Sequence, residues 1–349
     1  MGDTKIPLQQ LLNLTKDQSE AIENADSPSA SNPFLTASAG GGGGASIFPA
    51  GFAGDGSDLA AVYTSGGSPY ALNFTPAGKQ FTSMEIQAGA QVHATTSGFS
   101  GPLAGQARLG VAGRLTIAGM LQGTAQGQPG GAVSGGTPAS LGRRGSPEGS
   151  SGGGGGSGSG VNLATGPGGS GGSQFSNIVQ GGAGGASVSV LGLPIAGLPG
   201  SPGWDHLDET SSVWWLGRHL MQSGLGGGAG GFGVDNNLGP FPPGGAGGFG
   251  GLTFLIECGE LELLASGSIL ADGATGAAGT NGSNGAGGGG GGGSGGNIVI
   301  FTKSIVDSSG TLSAARGLGG PGGGGLGPFG QPGGAGAVGG FGRFIIVKI

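Results

Sequence analysis

Charge is scarce in this chain. Asp, Glu, Lys and Arg together make up 9% of its 349 residues, and the formal net charge is −6. With no basic cluster, binding to nucleic acid through the phosphate backbone is not expected. Cysteine is nearly absent. The single Cys258 lies in the apolar run from Leu252, which excludes a disulfide within the chain and marks a small buried hydrophobe. No run approaches the ~20 apolar residues of a membrane-spanning helix, so none is expected. The N-terminus lacks the basic-then-apolar pattern of a cleaved secretion signal, so assembly inside a cell is the expectation.

Glycine is what the chain has in excess: 95 residues, with 20 prolines, which by composition alone would read as low complexity. Low charge and the gathering of apolar residues into strand-like runs oppose that reading. Two stretches keep glycine in step at every third residue, Gly273 to Gly291 and Gly324 to Gly342. A period of three fits neither helix nor strand; it is the repeat of a polyproline II-type helix, which has no internal hydrogen bonds. Such backbones need partners in neighbouring segments, and a residue without a side chain lets them approach closely.

Between the tracts the period changes to two. Met84, Ile86, Ala90 and Val92 alternate with polar neighbours, as do Leu109, Val111, Leu115 and Ile117 around Gly113. This predicts half-buried strands. Gly54 to Asp58 reads as a turn. The segments Gly119–Gly123, Gly267–Gly273 and Gly310–Gly317 each close an apolar run and open a glycine tract. New strands are expected at Gly251–Ile256, Gly296–Phe301 and Gly342–Ile349, the last two onsets roughly 45 residues apart, a spacing suited to stacked architectures. The unit is strand, turn, strand and glycine excursion.

The N-terminal residues differ in kind. Leu8, Leu11, Leu12 and Thr15 fall at helical spacing, and Thr15 to Gln18 fits a capping box, so a short helix ending near Ala25 is predicted. The segment Asp17 to Phe34, with Ser27-Pro28-Ser29-Ala30-Ser31-Asn32-Pro33-Phe34 at its end, resembles stretches near the N-termini of bacteriophage tail-fibre and other virion proteins. That resemblance implies a particle anchor comprising Leu8, Leu11, Leu12, Leu14, Ile22, Pro28 and Phe34. The alternation of glycine tracts with short non-glycine stretches looks like the receptor-binding adhesins at the tips of T-even phage tail fibres, where glycine tracts pack as polyglycine II helices. It also looks like glycine-rich tail and decoration proteins of other phages. This chain departs from the adhesins in carrying more β-like sequence and its own N-terminal helix.

Few residues suggest catalysis. Gly168–Gly172 and Gly292–Gly296 satisfy a nucleophile-elbow pattern, but neither follows a convincing strand into a helix. His93, His206 and His219 match no metal-ligand spacing, even with Asp205, Asp208 and Glu209 nearby. Glu260 and Glu262 would share a strand face, the arrangement to check for a tailspike-like glycan hydrolase. The island 204–221 holds all three tryptophans, Trp204, Trp214 and Trp215, followed by Arg218, His219 and Met221. These residue types serve either a plug or subunit contact or a receptor contact.

The expected fold is mainly β: short strand repeats with laterally packed polyglycine II-like tracts, plus a short N-terminal helix. The expected divisions are 1–39 as particle anchor and linker, 46–125 as a strand region, 126–250 as a glycine-rich region with the insert 204–221, and 251–349 as strand and glycine repeats. The expected role is a non-enzymatic virion component, a tail fibre, tail tip or decoration protein assembled in the host cytoplasm, without metal or cofactor. Its expected partners are other virion proteins through the N-terminal segment, further copies of itself (a trimer would fit) and a host-surface glycan or protein. A glycan depolymerase and a glycine-rich cell-surface or matrix protein are the alternatives.

Overall fold

A computed structural model describes residues 56–75, 78–96, 106–127, 130–132, 200, 224, 226–233, 242–283, 285–326 and 330–348. The anticipated N-terminal helix and the tryptophan island lie outside them. The described residues are mainly β, and the paired strands run parallel throughout. In chain order the strands are β1 (Ala60–Tyr63), β2 (Tyr70–Phe74), β3 (Lys79–Phe81), β4 (Ser83–Ile86), β5 (Gln91–Thr96), β6 (Gln106–Ile117) and β7 (Met120–Gln122). They continue with β8 (Thr253–Leu263), β9 (Ser268–Leu270), β10 (Ile298–Ser308), β11 (Thr311–Ser313) and β12 (Phe344–Lys348). One sheet has the order β1-β4-β6-β8-β10-β12, with β3 also on β6; the other is β11-β9-β7-β5-β2.

Each rung is a strand of the first sheet, a tight turn, and a short strand of the second. Alternation turns one face of β4, β5 and β7 inward, the first half of β8 is buried on both faces, and the parallel register lays equivalent side chains over one another. Leu109, Ile256 and Ile300 stack in one buried ladder, Met84, Leu115 and Leu261 in a second, and Val92, Leu121 and Ile269 in a third. Together these ladders make a continuous core between the two sheets. The register shifts between Val111 and Arg114, where Gly113 donates its N–H to Thr82 O at 2.8 Å. A Cβ at Gly113 would lie 2.9 Å from that same oxygen, so glycine is the residue that fits this bulge.

Parallel strands need a long crossover, which in most proteins is a helix. Here the crossovers after β9 and β11 are glycine ribbons. The excursion after β9 goes out along 271–282 and returns along 287–296, and the one after β11 goes out along 314–326 and returns along 330–342. Side chains tie successive turns of this path together. Asn297 Oδ1 accepts from Arg343 N–H at 2.9 Å, 46 residues on, while Asn297 N–H donates to Thr253 Oγ1 at 3.0 Å, 44 residues back. Asp272 Oδ1 accepts from Ser313 Oγ and from Ala315 N–H, both at 2.6 Å, and Asn281 Oδ1 accepts from Gly324 N–H at 2.6 Å.

Candidate functional site: the glycine ribbons and the faces of the stack

The ribbon 287–296 shows most plainly, among the described residues, how glycine is used. Gly287, Gly290, Gly293 and Gly296 donate their N–H groups to the carbonyls of Thr280, Ala277, Ala274 and Ala271, at 2.7 to 2.9 Å. Gly288 and Gly291 donate to Gly231 and Gly228, both at 2.8 Å. Gly289, Gly292 and Gly295 donate to Gly334, Ala337 and Gly340, at 2.8 to 3.0 Å. Successive amides thus turn in rotation to three different neighbours. The approach leaves no room for side chains: a Cβ at Gly290 would collide with Ala246 O, and one at Gly292 with Gly317 O. Ser294, which completes the Gly292–Gly296 nucleophile-elbow pattern, is fully buried among these ribbons, not on a strand-to-helix turn.

Several polar groups outside the ribbons are held. Glu260 and Glu262 do share the outer face of β8, and Arg114 of β6 engages both. Its Nε is 2.8 Å from Glu260 Oε2 and its guanidinium 3.6 Å from Glu262 Oε2. Thr116 Oγ1 donates to Glu262 Oε2 at 2.9 Å. The carboxylates in turn raise the Arg114 pKa above its usual value, chiefly through the Glu260 hydrogen bond. Cys258 is buried on β8, and burial pushes its thiol up to about 11, although a hydrogen bond with Thr302 pulls the other way. It stays protonated at neutral pH and is a poor nucleophile.

Of the predicted site residues, Trp204, Trp214, Trp215, Arg218, His219 and Met221 lie outside the described residues. So do the anchor residues Leu8, Leu11, Leu12, Leu14, Ile22, Pro28 and Phe34, and His206. His93 lies on β5 beside Ala71 and Gln122 of the adjoining strands. Among the described residues no group of three or more His, Cys, Asp or Glu could hold a metal ion, and no helix is long and apolar enough to cross a membrane. The bridge from Arg114 was not anticipated from the sequence, because 146 residues separate it from Glu260. Comparison with family models, curated proteins and solved structures found no match.

Proposed function

We propose that this chain is a non-enzymatic structural protein of a bacteriophage virion, a component of a tail fibre, a tail tip or a capsid decoration. Its glycine ribbons act as polyglycine II-type helices, packed laterally into a plate continuous with the β rungs. The observation that carries this reading is the three-way donation of residues 287–296, because a helix with three residues per turn aims successive amides about 120° apart. Such a plate suits a part whose task is to hold shape: its amides are committed to neighbouring backbones, so local opening is costly.

Adhesion or particle stabilisation then divides along the chain. Residues 1–39 attach the protein to other virion proteins, and the rungs and ribbons project outward. The tryptophan island, with Trp204, Trp214, Trp215, Arg218, His219 and Met221, contacts another subunit or a host-surface glycan or protein. Association into a homo-oligomer, with a trimer as the fitting count, adds burial that thin rungs lack alone. Deleting residues 1–39 tests the scheme. The truncated chain is expected to keep its circular dichroism spectrum and to be missing from purified virions. Normal incorporation would refute the anchor assignment, and absence of the full-length chain from virions would refute the virion reading itself.

A further inference from the structure

The core ladders all run out at the same end of the stack. Beyond buried Met84, Leu115 and Leu261 the next member is Ile305, which is 42% exposed. Beyond buried Leu109, Ile256 and Ile300 comes Ile346, only half-buried, and beyond Leu121 and Ile269 comes half-buried Leu312. Among the described residues β12 pairs only with β10, and β11 only with β9. Between them lies a groove of about 630 Å³, lined by Leu312, Ala314, Phe341, Arg343, Phe344 and Ile345. Phe344 is 56% exposed. Stacked folds close such an end with a polar face, and this one is apolar.

The backbone at this end defines the shape of what fits. Arg343 C=O accepts from Ile298 N–H at 2.8 Å, and Ile298 is in register with Phe344. In a parallel pair that pattern turns the N–H and C=O of Ile345 and Val347 toward β10, and those of Phe344, Ile346 and Lys348 away from it. The outward groups form a ready edge for one more extended strand.

Charge defines its chemistry. Lys303 on β10, Lys348 on β12 and Arg316, whose guanidinium sits 4.6 Å from the Phe341 ring centroid, lie at this end, in a chain whose net charge is −6. Two carboxylates lie there as well, Asp272 held by Ser313 and Ala315 and Asp307 by Ser309 N–H at 2.8 Å, and the cations outnumber them. Lys303 and Lys348 are exposed and form no ion pair among the described residues. The same end of a second copy would set these cations against their equals, whereas a strand bearing carboxylates would neutralise them. We propose that the β11–β12 end is a docking edge for an extended apolar segment of a partner protein that carries carboxylates and adds alongside β12. The inference stands independently of the virion reading.

Fluorescence anisotropy with the full chain tests it. The probe is a labelled eight-residue peptide alternating valine with glutamate, and its control carries lysine in place of glutamate. The glutamate peptide is expected to bind at least about tenfold more tightly than the lysine peptide, and to weaken as salt is raised. Ile346→Pro removes an outward N–H that no bond among the described residues uses, so the fold should survive while affinity falls about tenfold. Lys303→Glu combined with Lys348→Glu, both at exposed positions, should reverse the preference between the two peptides. Equal affinity for both peptides, no binding of the glutamate peptide, or an unchanged preference in the charge-reversed variant would overturn the proposal. So would self-association in sedimentation that Ile346→Pro abolishes, because the occupant would then be a second copy.

Discussion

In the rungs apolar side chains fill a shared core, whereas in the ribbons a missing side chain at every third position is what lets the backbones meet. β8 packs Leu252, Phe254, Ile256, Cys258, Leu261 and Leu263 in and around it into one apolar core. The ribbon 287–296, which leads into β10, contributes no large apolar side chain and commits its glycine amides to three neighbours. The rungs therefore draw stability from apolar burial. The ribbons draw it from hydrogen bonds worth only about 1 kcal/mol each, which must be made in bulk and in register. One region tolerates changes of shape and loses by changes of size; the other loses by the addition of a single methyl group.

That contrast is sharpest at Gly290. Gly290→Ala would drive a methyl group into the Ala246 carbonyl, with expected destabilisation of about 3 kcal/mol or more in denaturant unfolding. Gly66→Ala is its counterpart: a Cβ there meets nothing, and the expected change is within about 0.5 kcal/mol. Equal effects at the two positions would break the comparison. In the rungs, Leu261→Ala should cost about 2–5 kcal/mol, because Leu261 is fully buried. At the open end of the same ladder, Ile305→Ala should cost under about 1 kcal/mol by the same measurement.

Smaller effects probe the ties between the two regions. Asn297→Ala would leave Arg343 N–H without its Oδ1 partner where strand and ribbon meet, and should cost about 1–3 kcal/mol in the same unfolding series. The outer-face bridge matters least. Arg114 and Glu260 are exposed, so Arg114→Ala should leave the thermal midpoint unchanged, and a marked fall would show the bridge to be structural. Cys258 should resist alkylation by iodoacetamide at mildly alkaline pH until the protein unfolds. Labelling at the rate of a free thiol would contradict its burial and raised pKa.

Much of the β architecture could be read from periodicity. The alternation at Met84, Ile86, Ala90 and Val92 lies in and beside β4 and β5, and that at Leu109, Val111, Leu115 and Ile117 lies in β6, all eight residues being buried. The expected strand openings near Gly251, Gly296 and Gly342 precede β8, β10 and β12 by two residues. Gly56 and Asp58 fall in a turn closed by Leu59 N–H to Gly56 O at 2.8 Å. Parallel pairing was not legible, because alternation reports which face is buried and says nothing of strand direction. The link from Arg114 to Glu260 was hidden for a different reason: it joins strands on opposite sides of the longest crossover. The open apolar end was equally hidden, since Phe344, Ile345 and Ile346 read as an ordinary core strand until their neighbours were known. The N-terminal anchor and the tryptophan island fall outside the described residues.

Amide hydrogen exchange across residues 287–296 in the folded protein tests the central claim most directly. If successive glycines donate in turn to three neighbouring backbones, every glycine amide in the segment should be protected to a degree comparable with those of β8 and β10, with no position exchanging as free coil. Exchange of this segment at the rate of an unstructured glycine peptide, while β8 and β10 remain protected, would contradict the account.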